Sequence, residues 1–210
     1  LASPSDVSSA VKPVAEQVAS LQSRVANVVS AESDRKQNAK RIVLSLELAN
    51  LERAIERGDS FAPELAEVQA TAGGLIDVTP LERFGESGVA PVSKLQALFR
   101  PVAYQIIEAS EAPTSGSVYE QLLSNARSVV KVRKVSHDAS DTSAEAIVSR
   151  IESALAAGRL SKVVSLYKEL PPGGQKAAQG WLQKVEDRHA VDVALAAIGD
   201  QLKASLSGTN

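Results

Sequence analysis

Residues 51–65, LERAIERGDSFAPEL, carry the pattern that decides the fold. Apolar residues four apart begin a helical face, and Gly58 then suits a helix C-cap because glycine adopts left-handed backbone at little cost. Asp59 and Ser60 suit the capping positions of a following helix. Residues 151–158, IESALAAG, repeat the pattern. Both stretches therefore predict antiparallel helical hairpins.

The composition favours helices that pack closely on one another. Of the 210 residues, 44% are apolar and only 3% are aromatic, which suits helix–helix packing better than a β-sandwich. The formal net charge of −2 supplies no overall field to attract nucleic acid, so an anionic partner would have to meet a local basic patch. The absence of cysteine excludes disulfides, thiol catalysis and thiolate metal sites.

The ends of the chain bear on its anchoring. No apolar run approaches the roughly 20 residues that a membrane span needs, and no signal peptide is visible. The chain begins with Leu1 and contains no methionine. We therefore expect a fragment or a processed form of a longer protein, whose anchor would lie upstream.

The N-terminal segment has the clearest periodicity. From Val7 onward, valines and one leucine recur alternately four and three residues apart, which is the a/d seam of a coiled coil. Glu32 and Arg35 would be the next two core positions and end the seam. Proline is poorly tolerated inside a helix, so Pro13 predicts a helix that begins near Lys12. The seam predicts a homo-oligomer, the alternative being a helix packed on the chain's own core. The predicted oligomerisation residues are Val14, Val18, Leu21, Val25 and Val28.

The whole pattern predicts an all-α fold. It would be an elongated, solenoid-like array of antiparallel helical hairpins, similar to tetratricopeptide arrays but without their 34-residue signature. The predicted regions are a coiled-coil helix (1–36), helical hairpins (37–116), a basic amphipathic helix with a linker (117–143), and a C-terminal helical bundle (144–210).

Several helix boundaries follow from glycines and prolines. They predict a short helix over residues 75–86, a turn at residues 171–174 and a closing helix from Gln175. A separate helix from Gln37 is expected because the seam ends and a new apolar stripe begins, formed by Leu44, Leu48, Leu51 and Ile55. The residues expected to face inward on the helix that starts at Pro91 are Leu95, Leu98, Val102 and Ile106. Those expected to face inward on the closing helix are Trp181, Val185, Val193, Ala197 and Ile198.

Residues 117–137 are the first candidate for a membrane contact. They contain four Lys and Arg residues against Glu120, a formal +3 with histidine neutral. On a helix, the basic residues form one stripe and the aliphatic residues another, which suits an anionic lipid interface. The alternatives are a core-packed helix with a solvated basic face, and a short strand over residues 129–135. The predicted lipid-binding residues are Leu122, Arg127, Val129, Lys131, Arg133 and Lys134.

Phe99 and Arg100 are the second candidate for lipid contact. An interior role for Phe99 is the favoured alternative, because aromatic residues are scarce in this chain. For the same reason Trp181 is expected to anchor a core or an interface.

No pattern points to catalysis. His137, Asp138 and Asp141 lie in a Ser/Thr-rich loop, whereas a catalytic zinc needs three ligands in fixed geometry. The glycine pairs at residues 73–74 and 173–174 lack phosphate-loop spacing, and no Gly-x-Ser-x-Gly motif occurs. We therefore predict no enzyme, no catalytic residue, no metal and no cofactor.

Four stretches, taken in order, resemble the alphaproteobacterial mitofilin family. Residues 51–65 are similar to its first hairpin, and residues 88–99, GVAPVSKLQALF, to its second. Residues 122–133, LLSNARSVVKVR, resemble the segment before its C-terminal signature region. Residues 160–170 with 181–188, WLQKVEDR, resemble that region itself. The first two stretches also resemble the HemX type of membrane protein, which is encoded with haem-synthesis enzymes.

The mitofilin resemblance implies a membrane-organising scaffold. Family members are anchored in the inner membrane by an N-terminal span, which this sequence lacks, and their helical part faces the periplasm or the mitochondrial intermembrane space. They shape the inner membrane, hold cristae at their necks and tether the inner membrane to the outer. The implied partners are anionic lipids, further copies of the chain and an outer-membrane protein, and the expected location is the periplasmic side of a bacterial inner membrane. The alternative is a helical-hairpin adaptor of the HemX type, linked to haem-synthesis enzymes.

Overall fold

The computed structural model describes residues 4–111 and 141–207, and these ranges contain helices and no strand. The all-α prediction is therefore confirmed. The predicted helix and the alternative strand within residues 117–135 lie outside the described residues. The helices are α1 (Pro4–Arg57), α2 (Ala62–Ala72), α3 (Thr79–Gly85), α4 (Val92–Glu111), α5 (Ala144–Ala156), α6 (Leu160–Lys168) and α7 (Pro172–Ser207).

Helix α1 is longer and more continuous than the sequence predicted. It begins at Pro4 rather than near Lys12, contains Pro13, and passes without interruption through Gln37, where a new helix was expected. A proline removes one backbone hydrogen bond, but the helical residues before and after Pro13 retain theirs. Glu32 and the other charged residues that end the apolar seam are good helix formers, so they interrupt the seam and not the helix.

The chain divides into two compact units, residues 1–49 and 50–210. In the first unit, α1 is exposed along most of its described side chains, with Leu44 and Leu48 buried. In the second unit, α4, α5, α6 and α7 pack on one another, while α3 packs on α7 and α2 on α3. The four regions predicted from the sequence stay a prediction.

The core of the second unit lies among α4, α5, α6 and α7. Trp181 is buried there, as the sequence predicted for an anchor, and its indole N–H donates to the carbonyl of Leu95 at 3.1 Å. The fully buried large side chains of this cluster are Leu95, Phe99, Ile106, Ile147, Ile151, Leu155 and Leu166.

The inward face of α7 differs from the predicted one. Val193 is 56% exposed, and Ala197 is exposed as well, so their predicted inward positions are wrong. Val191 and Ala194 are buried instead. The buried stripe includes Arg188. Because this position is charged, the spacing of apolar residues alone does not show which face of α7 is buried.

The turn after α1 packs against the turn before α4. Gly58 and Gly88 have φ values of +81° and +64°, as a C-cap glycine requires. A Cβ atom on Gly88 would lie 2.3 Å from the carbonyl oxygen of Asp59. Asp59 and Ser60 do not cap α2 as predicted. Ser60 Oγ donates to the carbonyl of Gly85 at 3.0 Å, and Phe61 stands at the N-cap position without a side-chain cap.

Two helices begin at other residues than expected. Helix α3 starts at Thr79, after Leu75, and the hydrogen bonds from the side chain and backbone of Thr79 hold the pKa of Asp77 below its usual value. Helix α7 starts at Pro172, inside the predicted turn. Its Gly173 lies so near α4 that a Cβ atom would be 2.2 Å from the carbonyl oxygen of Ala109. The glycines therefore serve close helix packing and not only a turn.

Candidate functional site

The predicted oligomerisation residues form an exposed apolar stripe on α1, named here the N-terminal seam. An amphipathic helix normally buries such a stripe against another element. The seam instead faces solvent along its whole length, which is typical of an interaction surface. Its exposed fractions are 57% for Val14, 48% for Val18, 55% for Leu21, 61% for Val25 and 68% for Val28.

A second exposed apolar run continues the same heptad on α1. Ile42 and Leu46 are 63% and 61% exposed, and counting on from Val28 in steps of four and three reaches both positions. Leu44 and Leu48 lie on the opposite face and are buried. The sequence prediction missed this run because it ended the seam at Glu32 and began a new helix afterwards, whereas one continuous helix keeps the two runs in phase.

Phe99 lies in the core and not at the surface. It is 2% exposed, and its ring centroid is 4.6 Å from that of Trp181, with the planes tilted by 41°. Its interior role is therefore confirmed, and a lipid contact by this ring does not fit its position. The neighbouring Arg100 is exposed, and its lipid contact stays a prediction.

Tyr104 is an exposed aromatic residue that the sequence prediction missed. It is 72% exposed and follows Arg100 by four residues on α4, so the two side chains are neighbours on one face. Its place opposite the buried residues of α4 is the signal that would have revealed it. A tyrosine beside an arginine presents an apolar ring and polar groups together, as residues at membrane–water interfaces do.

The remaining predicted lipid contacts lie outside the described residues. Helix α4, with Arg100 and Tyr104, is the last described element before them in the chain. The residues concerned are Leu122, Arg127, Val129, Lys131, Arg133 and Lys134.

A cleft of about 520 Å³ lies in the second unit, beside the turns that contain Gly58 and Gly88. Its charged lining consists of Arg57, Lys94, Lys184 and Asp187. Arg57 already lies 3.7 Å from the carboxylate of Glu64, and both lysines are exposed. Water and salt screen exposed cations strongly, so this lining does not by itself define a ligand.

Arg188 is a buried charge that the sequence prediction did not single out. It is 4% exposed on α7, its Nε donates to Asp192 Oδ1 at 2.8 Å, and its Nη2 donates to Glu56 Oε1 near the end of α1. Its Nη1 has no partner within the described ranges. The pair with Glu56 joins α7 to the last turn of α1 in the second unit, and the pair with Asp192 lies within α7, so both serve the fold.

The described ranges, 4–111 and 141–207, offer no group of three acidic or histidine side chains that could hold a metal ion. Asp141, from the loop weighed as a metal site, accepts a hydrogen bond from the backbone N–H of Ser143 at 2.9 Å, while His137 and Asp138 lie outside these ranges. Among the helices described here, none combines the length and apolarity needed to cross a bilayer.

A family model described as "Mitofilin: Mitochondrial inner membrane protein" matches residues 81–199, more than half of the chain. The matched segment begins in α3 and ends in α7, so it includes α4, α5, α6 and most of α7. No curated protein and no solved structure matches the chain.

Proposed function

Because the chain belongs to the mitofilin family of mitochondrial inner membrane proteins, we propose that it is a scaffold that organises an inner membrane. The observation that carries the proposal is the exposed N-terminal seam on a chain of this family. A scaffold needs at least two contacts, one with the membrane and one with another copy. The chain offers a candidate surface for each.

The membrane contact would come from the basic segment and from α4. Residues 117–137 carry a formal +3, and each basic residue near an anionic surface contributes about 1 kcal/mol. Aliphatic residues at helical spacing, Leu122 and Val129 among them, would enter the interface while the cations meet headgroups. Arg100 and Tyr104 on α4 would add to this contact.

The contact with other copies would come from the N-terminal seam. Its five apolar residues span more than two heptads, which is marginal for an isolated pair of helices. Membrane binding would raise the local concentration of chains, and paired chains would in turn bind the membrane with greater avidity. Each weak contact would therefore strengthen the other.

The proposed location follows from membership of the mitofilin family. The scaffold would be held at the inner membrane by an anchor upstream of Leu1. It would face the periplasm in a bacterium, or the intermembrane space in a mitochondrion, where an outer-membrane protein is the proposed further partner. The HemX-type adaptor stays a prediction.

Co-sedimentation with vesicles that contain anionic lipid tests the membrane contact. We expect the wild-type chain to sediment with the vesicles and Arg127→Glu/Lys131→Glu to remain in solution. The matched control is Arg159→Glu/Lys162→Glu, which changes the net charge equally at two exposed positions around the start of α6. The control should sediment like the wild type.

Equal sedimentation of all three proteins would reject the basic segment as the membrane contact. Loss of binding by both double variants would show that net charge alone, and not this segment, governs binding. Capture of a haem-synthesis enzyme without any lipid binding would favour the adaptor of the HemX type instead.

A further inference from the structure

Two charged residues divide the exposed heptad stripe of α1 into two apolar runs. Counting in steps of four and three from Val28 reaches Glu32, Arg35, Ala39, Ile42 and Leu46. All these residues are exposed on one continuous helix. Neither Glu32 nor Arg35 has an ion-pair partner in the ranges that the structure describes. Two unpaired charges of opposite sign thus occupy adjacent core positions of a seam that is otherwise apolar.

These charges decide how a second copy can pair with the seam. In a parallel pair in register, each core residue meets its own counterpart. Glu32 would then face Glu32 of the second copy, and Arg35 would face Arg35. Like charges placed opposite each other at core positions oppose association.

An antiparallel pair removes both repulsions at once. When the two helices are centred between residues 33 and 34, residue numbers that face each other add up to 67. Glu32 then faces Arg35 of the second copy, and the same pair recurs on the other side of the two-fold axis. Because an a position meets a d position in antiparallel pairs, the heptad phase is kept.

The apolar layers match in the same register. Val28 faces Ala39 of the second copy, Val25 faces Ile42, and Leu21 faces Leu46. Each run of one copy thus covers the run that the other copy leaves exposed. A shift by one heptad would place Glu32 or Arg35 against an apolar residue, and desolvating an unpaired charge there is costly.

We propose that residues 21–46 of α1 pair antiparallel with a second copy of this chain, in a register specified by the Glu32–Arg35 layer. The inference rests on the self-association in the proposed function and adds its orientation and register. It also sets a spacing. At 1.5 Å per residue, the two Leu46 residues lie about 38 Å apart along the paired helices. The chains therefore leave the pair at opposite ends, as a spacer between two attachment points requires.

Cysteine cross-linking in the full chain tests the orientation, since the natural sequence has no cysteine. Val28 is 68% exposed and Ala39 is exposed, so V28C and A39C should fold normally. We expect an oxidised mixture of the two variants to form the mixed disulfide, and neither variant alone to cross-link. In the antiparallel register the Cα atoms of position 28 in the two copies would be separated by about 16 Å along the axis, far beyond the roughly 7 Å that a disulfide spans.

Charge reversal tests the register independently. In the antiparallel pair, E32R places two arginines in each polar layer and should raise the dissociation constant about tenfold or more in low salt. The double variant E32R/R35E restores opposite charges across the pair and should recover the wild-type constant. In a parallel pair both variants would bind like the wild type, because each merely exchanges one like-charge layer for another. Sedimentation equilibrium measures these constants.

The outcomes separate the orientation from the self-association itself. Cross-linking of V28C with itself, or equal dissociation constants for all three proteins, would overturn the antiparallel pair while leaving self-association intact. A monomer at all concentrations, with no cross-link in any mixture, would overturn both. Neither outcome depends on vesicle binding, which tests the basic segment separately.

Discussion

The same kinds of aliphatic side chain have opposite environments in the two compact units of this chain. In the second unit, the apolar stripes of α4, α5, α6 and α7 face one another and are almost fully buried. In the first unit, the N-terminal seam of α1 repeats with equal regularity, yet every residue of it is about half exposed or more. Regular spacing therefore identifies a surface that can pack, but not the partner that covers it.

The difference assigns stability and association to separate parts of the molecule. Burying an aliphatic side chain contributes about 1.5–3 kcal/mol, which the second unit already gains within one chain. The seam of α1 can gain this energy only from a partner. Substitutions in the core should thus change unfolding, and those in the seam should change association, with little crossover between the two.

The largest expected effect is that of Phe99→Ala. It removes a ring that is 2% exposed and packed on Trp181, so we expect the free energy of unfolding of the second unit to fall by about 3–5 kcal/mol. Urea unfolding followed by fluorescence reports on this unit alone, because Trp181 is the single tryptophan of the chain.

A lipid-facing role for Phe99 predicts a different result for the same variant. Its truncation would then weaken vesicle binding and leave the urea midpoint close to that of the wild type. Measuring both quantities on the same variant therefore shows which surface the ring belongs to.

The next largest effect concerns the glycine turn before α4. Gly88→Ala should lower the free energy of unfolding by about 2–4 kcal/mol, since φ is +64° and the new Cβ atom would lie 2.3 Å from the carbonyl oxygen of Asp59. Gly158→Ala is the matched control. Gly158 has a φ of +66° with no atom within 4 Å of the new Cβ position, so only the backbone cost of about 1 kcal/mol should remain. Equal losses would show that close packing of the two turns contributes nothing.

The sequence predicted the helical class and most helices because periodicity, glycines and prolines are local signals. It did not predict the continuity of α1, although no glycine or proline occurs between Val14 and Arg57. The change of apolar stripe near Gln37 was taken for a break in the helix. The helix instead continues, and after Gln37 one of its faces becomes buried at Leu44 and Leu48 while the exposed stripe goes on through Ile42 and Leu46.

The faces of the packed helices were harder to predict than their existence. On α4, the adjacent Leu98 and Phe99 are both apolar, and only tertiary packing decides that Phe99 is the more deeply buried. On α7, the buried Arg188 stands on the apolar stripe because Glu56, 132 residues earlier in the chain, accepts its hydrogen bond. A single sequence does not show so distant a partner.

A smaller loss of stability is expected when either Arg188 or its two carboxylate partners are replaced, and the two replacements should differ in size. Arg188→Met leaves Glu56 and Asp192 with side chains 63% and 37% exposed, where water can hydrate them, so we expect a loss of about 1 kcal/mol or less. Glu56→Gln/Asp192→Asn leaves a buried guanidinium without a countercharge and should cost about 1–3 kcal/mol. Urea unfolding of both variants checks the order. The reverse order would mean that the arginine contributes mainly by packing.

The smallest expected effect on folding is that of Val25→Ala, in the middle of the N-terminal seam. The side chain is 61% exposed, so its truncation should change the unfolding of the second unit by no more than about 0.5 kcal/mol. It should nevertheless weaken self-association severalfold, because a paired seam would bury this valine in each copy. Ser30→Ala on the same helix is the control, since Ser30 is exposed and lies outside the heptad core positions. It should change neither quantity. If Val25→Ala lowers the unfolding free energy as a core substitution does, the seam is covered by its own chain. The proposed difference between a folding core in the second unit and an association surface in the first would then be wrong.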